Sequence, residues 1–216
     1  PQSDKTCESF ELVPCHGFIS ECTFGLPVYK WKPEAEIHNQ INHWWEKNKA
    51  DGQGSLLFAY SLGKAQRVLA GLDSSIGPIY AHSAVYSFLD HYKNAGVVLP
   101  DVKKVDKQKD FSGAMVIAPP AVEDSSWTRK FRKVRRGFAS GWMAIRGPRR
   151  RKNLDRGFVL SDHADWSGLI DVISGTGAET VKVTHGNGDA LSKFLLEKGV
   201  EASVLNESSF RQEELN

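Results

Sequence analysis

The sequence predicts an α/β fold built on parallel strands, and two observations carry that expectation. Short apolar runs alternate with helix-patterned segments between residues 32 and 135, as they do in a parallel α/β unit. Three apolar runs also end in a side chain suited to chemistry. Gly17-Phe-Ile-Ser20 leads into Glu21, a run ending at Ser161 precedes His163, and Thr180-Val-Lys-Val-Thr184 precedes His185. Open α/β sheets bind ligands at the carboxyl ends of their strands, so neighbouring strands would bring these three residues to one edge.

Composition sets the bounds. With 216 residues, 40% of them hydrophobic and 25% charged, the chain can bury a sizeable core in one large domain or two modest ones. No apolar run approaches the roughly 18 residues of a membrane span, and no signal-peptide pattern is present. No membrane partner is expected. Cys7, Cys15 and Cys22 are too few and too irregularly spaced for a disulfide framework or a CxxC metal knuckle, which suits a reducing cytoplasm. The first residue is Pro1 and no methionine precedes Met115, so the chain is expected to be part of a longer translation product.

Charge is unevenly distributed. Residues 129–156 hold twelve bases against the single acid Asp155, a local charge of +11, and the rest of the chain sums to −9. Trp127, Phe131, Phe138 and Trp142 are interleaved with the bases. A solvated basic face is one reading of such a stretch. A polyanion partner, nucleic acid, is the favoured one.

The elements follow in order. After Glu21, Gly25 and Pro27 mark a turn. Pro33 opens a helix with Ile37, Ile41, Trp44 and Trp45 on its apolar face, ending near Gly52. The strand Leu56-Leu-Phe-Ala-Tyr60 feeds Ser61-Leu-Gly-Lys-Ala-Gln66 and a helix bearing Val68, Leu69 and Leu72. Gly63-Lys64 at that turn suits a phosphate held at a helix N-terminus, without the spacing of a Walker loop. Ile79-Tyr-Ala-His82 is a strand, a helix runs from about Ala84 to Asn94, and Ala114-Met-Val-Ile-Ala118 is the next strand.

From Phe138 the pattern is strand-rich. Phe138-Ala-Ser-Gly-Trp-Met143 and a return strand from about Leu154 to Ser161 read as a hairpin whose tip carries Arg149, Arg150, Arg151 and Lys152. Asp165 caps a helix bearing Trp166, Leu169, Ile170 and Ile173. After the strand that delivers His185, Asp189 caps a helix with Leu191, Phe194 and Leu195, which Gly199 stops. Val200 to Leu205 is a last strand, and residues 206–216 read as a polar tail. Taken alone, His163 has three readings: metal ligand, proton donor and acceptor, or a structural histidine satisfied by a carbonyl. Glu21 also reads as a surface carboxylate or helix cap, and His185 as a residue that satisfies its glycine turn.

Here the residues carry a resemblance. Phe18-Ile-Ser-Glu-Cys-Thr-Phe-Gly25, Leu160-Ser-Asp-His-Ala-Asp165 and Val183-Thr-His-Gly186 resemble motifs A, B and C of the metallo-β-lactamase nucleases that carry a β-CASP domain. Ser61-Leu-Gly-Lys-Ala-Gln-Arg67 is similar to a segment common in the β-CASP insertion. Phe138-Ala-Ser-Gly-Trp-Met143 and Gly157-Phe-Val-Leu-Ser-Asp-His-Ala-Asp-Trp166 resemble the bacterial branch of ligase-associated DNA exonucleases, relatives of the pre-mRNA 3′-end cleavage nucleases. The resemblance implies the C-terminal part of an αββα metallo-β-lactamase sandwich with an inserted β-CASP α/β domain. Residues 1–31 and 136–205 would belong to the sandwich and 32–135 to the insertion.

The resemblance also implies chemistry. The family binds two zinc ions chiefly through an His-x-His-x-Asp-His motif upstream of motif A, which this chain lacks. The chain is therefore expected to be inactive alone. His185 would be a metal ligand. His163 would protonate the leaving 3′-oxygen, a role that an ordinary histidine pKa of about 6.5 suits. Glu21 would accept the other ring N–H and set the tautomer, while Lys64 and Arg149–Lys152 would hold phosphates. The expected activity is phosphodiester hydrolysis of DNA in a bacterial cytoplasm, with a functional link to a DNA ligase. An RNA 3′-end processing nuclease and a non-catalytic nucleic-acid-binding fragment are the alternatives.

Overall fold

A computed structural model describes residues 4–107, 110–145 and 154–205. The chain divides into two compact units, a larger one containing Asp4–Glu8 and Trp31–Asp162 and a smaller one containing Ser9–Lys30 and the segment from His163 onward. Both are α/β with parallel sheets.

In the larger unit, α1 (Glu34–Ala50) precedes β2 (Gly54–Phe58), numbered after the smaller unit's β1 (Gly17–Cys22). Then come α2 (Lys64–Ala70), β3 (Ile79–Ala81), α3 (Ser83–Tyr86), α4 (Leu89–Asn94) and β4 (Val102–Lys104). The unit ends with β5 (Met115–Ala118), β6 (Val134–Ala139) and β7 (Arg156–Phe158). The six strands lie in the order β4-β3-β5-β2-β6-β7, all parallel. The central strands β2 and β5 are buried along their whole length, which is why their sequences read as unbroken small and apolar runs rather than alternating ones.

Period-two geometry sorts those runs onto two faces. Leu57, Met115 and Ile117 face a core shared with Ile37, Ile41 and Trp45 of α1. Leu56, Phe58, Val116 and Ala118 face a second core with Phe111 and Phe131. Helix α1 buries one stripe, sets Glu34 and Glu36 at its positive end and Lys47 and Lys49 at its negative end, and spends its Trp45 N–H on the Gly113 carbonyl 3.0 Å away.

Three expectations change here. The helix expected over 84–94 is split into α3 and α4, because the Phe88 N–H turns back to the Val85 carbonyl three residues away and tightens the coil. The strand β4 is too short to have shown a period. The third change is larger: β6 begins at Val134 and pairs with β2 from Gly54↔Val134 to Phe58↔Phe138, and β7 runs parallel to β6. The hairpin is therefore not formed, and the larger unit extends to Asp162. Arg135 and Arg136 disguised the start of β6, since charge reads as surface. In the fold Asp155 pairs with the Arg135 guanidinium, Nη1 lying 3.3 Å from its carboxylate, and accepts the backbone N–H of Arg136 at 2.7 Å.

The smaller unit contains β1, α5 (Trp166–Thr176), β8 (Thr180–Gly186), α6 (Gly188–Glu197) and β9 (Glu201–Val204), with parallel strand order β1-β8-β9. Cys22, Val181, Val183 and Ala202 form its core with Leu169 and Ile173 of α5 and Leu191 and Leu195 of α6. Asp165 caps α5 by accepting the Gly168 N–H at 2.9 Å, and the left-handed Gly177 ends it. Helix α6 differs from expectation: Asn187 is its N-cap without a side-chain bond, and Asp189 lies inside the first turn, where its charge suits the dipole. Among the described residues no helix is long and apolar enough to cross a membrane.

Candidate active site

The smaller unit's site begins with strand pairing. β1 and β8 are parallel neighbours with Glu21 opposite Thr184, so Glu21 and His185 emerge at the same sheet edge. His163 joins them through its ring: Nδ1 lies 3.1 Å from Glu21 Oε1. Phe24 stands edge-on to the imidazole at 5.8 Å between centroids and is itself seated on Tyr29, both aromatics being buried. The ring is thereby held against a wall while its carboxylate partner fixes its rotation.

Glu21 uses both carboxylate oxygens. Oε2 accepts the Thr23 N–H at 2.8 Å. Burial pushes its pKa up, but the hydrogen bonds from His163 and Thr23 outweigh that and hold it at about 2. With an anionic acceptor at Nδ1, that nitrogen carries a proton, and Nε2 is the ring atom not engaged by Glu21. The pair is partly open to solvent, with side chains 42% and 35% exposed for His163 and Glu21.

His185 sits at φ +54°, the one non-glycine residue with positive φ among the described residues. It is exposed, and its Nδ1 is 3.2 Å from the Thr184 hydroxyl. Its carbonyl accepts from the thiol of buried Cys22 at 2.7 Å. Burial, with Glu21 next to it, raises the Cys22 pKa and keeps that thiol a donor.

Zinc takes three or four protein donors. Glu21 and His163 are committed to each other, and His185 offers one imidazole. Among the described residues no group of three His, Cys, Asp or Glu is placed to hold a metal ion, so the donor set present does not by itself fit the expected zinc pair.

Lys64, expected to hold phosphate, lies in the larger unit. Lys64 is 5% exposed, pairs with Asp162 at 2.9 Å and lies 4.9 Å from the centre of the Tyr60 ring. Its charge is paired with a carboxylate that is itself partly exposed. Arg149, Arg150, Arg151 and Lys152 lie outside the described residues.

Two residues acquire roles that pattern reading did not assign. Arg67, also 5% exposed, bonds Glu34 at 2.6 Å, Asp4 at 3.3 Å and the Ser161 carbonyl. Asp162 is the partner of Lys64. Neither had a signal in the sequence, because an arginine on a short helix and an aspartate in a loop normally read as solvated. His82 proves structural in its bonding: Nδ1 accepts the Ala84 N–H at 3.0 Å and the ring stands edge-on to Trp127.

A basic cleft of about 270 Å³ opens at the amino ends of β5 and β6. Lys130, Arg132 and Lys133 line it over Phe111 and Phe131. Its one acid, Asp110, already accepts the Ser112 N–H and hydroxyl at 2.9 and 2.7 Å. Burial lowers the Lys130 pKa against the opposing influence of Asp106, and its ammonium lies 4.8 Å from the Trp127 ring.

No family model matches the chain. Over 191 residues, 88% of its length, the chain is 31% identical to a protein of Opitutus terrae named as a probable DNA ligase. The matched portion is 19% of that protein, so the chain spans about one fifth of the relative's length.

Proposed function

We propose that this chain forms part of a phosphodiester-hydrolysing enzyme that acts on DNA, of the β-CASP metallo-β-lactamase kind and its ligase-associated exonuclease branch. The carrying observation is the Glu21–His163 pair, 3.1 Å apart at a strand's carboxyl end, with His185 on the adjacent strand. The likeness to part of a protein named as a probable DNA ligase supports DNA as the substrate class. Two zinc ions belong to this reading, and donors beyond the described residues would have to complete their site.

The chain's own residues supply the proton chemistry. Glu21 stays ionised at any pH well above 2 and holds Nδ1–H, and the transferred proton is assigned to Nε2. As water adds to phosphorus and the P–O3′ bond breaks, His163 gives its Nε2 proton to the departing oxygen. The proton shed by the attacking water passes to solvent, and solvent returns one to the ring. Such a positioned acid is worth about 10²–10⁴ in rate. Lys130, Arg132 and Lys133 attract the phosphate backbone without reading sequence.

The test is cleavage of linear DNA by the intact polypeptide that contains this chain, compared with its His163→Ala variant. Turnover should fall by about 10²–10⁴ while DNA affinity is kept. Absence of DNA cleavage by the intact polypeptide, or wild-type turnover in the variant, would overturn the reading.

A further inference from the structure

The β1–β8 ladder breaks its register at one point. Partners run regularly from Gly17↔Thr180 to Glu21↔Thr184, and the next pair is Cys22↔Gly186. His185 is therefore the extra residue of a bulge, a device that re-aims a side chain at the rim of a sheet. The backbone there carries a cost. An L residue at φ +54° crowds its own Cβ against the following carbonyl, although histidine adopts this region more readily than most side chains.

Something must hold the bulge, and Cys22 is placed to do so from two sides. Its buried thiol donates to the His185 carbonyl at 2.7 Å, across 163 residues of chain. Its own carbonyl accepts the Gly25 N–H at 2.9 Å, which anchors the turn after β1. The following residue shows how closely the two turns are pressed together. A Cβ on Gly186, itself at φ +83°, would stand 2.3 Å from the Cys22 carbonyl oxygen and 2.6 Å from Thr23 Cα. Only a residue without a side chain allows that approach.

We infer that Cys22 is a positioning residue for His185: its S–H clasps the His185 carbonyl, holds the bulge in its left-handed form and so displays the imidazole beside Glu21. The functional meaning of that display rests on the nuclease reading above. The clasp itself is a statement about conformation and stands or falls separately.

Three variants of the intact polypeptide separate donor from volume. Cys22→Ser keeps a donor, Cys22→Val fills the space without one, and Cys22→Ala does neither. Crystal structures should show His185 still left-handed in the serine variant and moved to negative φ in the valine and alanine variants. DNA-cleavage kinetics should show kcat reduced about 10-fold or more in valine and alanine with KM little changed, and largely rescued by serine. A left-handed His185 in the valine variant would overturn the proposal, since packing alone would then suffice. So would a serine variant whose His185 moves as the alanine one does. If no variant and no wild-type protein cleaves DNA, the nuclease reading fails while the crystal structures still decide the clasp.

Discussion

Glu21 and His163 form a hydrogen-bonded pair at 3.1 Å although 141 intervening residues separate them, and the pairing fixes which ring nitrogen of His163 faces the carboxylate. A carboxylate at Nδ1 selects the tautomer and favours the charged ring. The wall provided by Phe24 limits its rotation. Each partner changes what the other can do.

That pair gives stability a definite pH dependence. The Glu21 pKa falls from an ordinary value of 4.5 in the unfolded chain to about 2 in the fold. A depressed carboxyl pKa stabilises the fold fully above the unfolded value, and the contribution disappears as pH falls through the folded one. The stability gap between the protein and its Glu21→Gln variant should be fully present at about pH 5 and shrink between about 4.5 and 2. A gap that stays constant down to pH 2 in denaturant titrations would show that the carboxylate gains nothing from His163 and Thr23.

Lys64 should behave as a structural residue. Lys64→Met removes a buried partner of Asp162, whose side chain is 36% exposed and so partly rehydrated. A loss of about 1–3 kcal/mol is expected, below the range for fully buried pairs. DNA affinity and its salt dependence should be unchanged. A clear drop in the salt slope would instead return Lys64 to the phosphate contacts.

Arg67 should be the more sensitive position. It answers Glu34 and Asp4, whose side chains are 15% and 10% exposed, and the Ser161 carbonyl. Arg67→Met removes the cation from two nearly buried carboxylates, leaving Asp4 to Thr6 and Glu34 to the neighbouring His38, at a cost of about 3–5 kcal/mol. Arg67→Lys should recover only part of it, because a single ammonium cannot reproduce the guanidinium fork. Chemical denaturation of the two variants measures both effects, and full recovery by lysine would mean that charge alone matters.

The cleft at the amino ends of β5 and β6 should set affinity rather than chemistry. Replacing Arg132 and Lys133 with glutamate should weaken duplex DNA binding and flatten the plot of log K against log salt by about 2 units, because each base neutralises one phosphate. Binding isotherms at several salt concentrations read this directly. An unchanged slope would place the polyanion elsewhere.

Features that depend on neighbours along the chain are legible in the sequence itself. The buried run of β2, the Ile37, Ile41 and Trp45 stripe of α1 and the Asp165 cap of α5 each depend on residues within a turn or two, so period and cap chemistry reveal them. The strand-end positions of Glu21 in β1 and His185 in β8 are legible for the same reason, whereas His163 lies in a loop beyond β7, a strand of the other sheet. Decisions about partners are not. That β6 lies against β2, that β7 runs parallel to it, and that Lys64 answers Asp162 depend on which distant surfaces meet. The clasp of Cys22 on His185 and the meeting of Glu21 with His163 are of the same kind. Period and propensity are local properties, whereas a strand's neighbour and a charge's counter-ion are settled only when the whole chain packs.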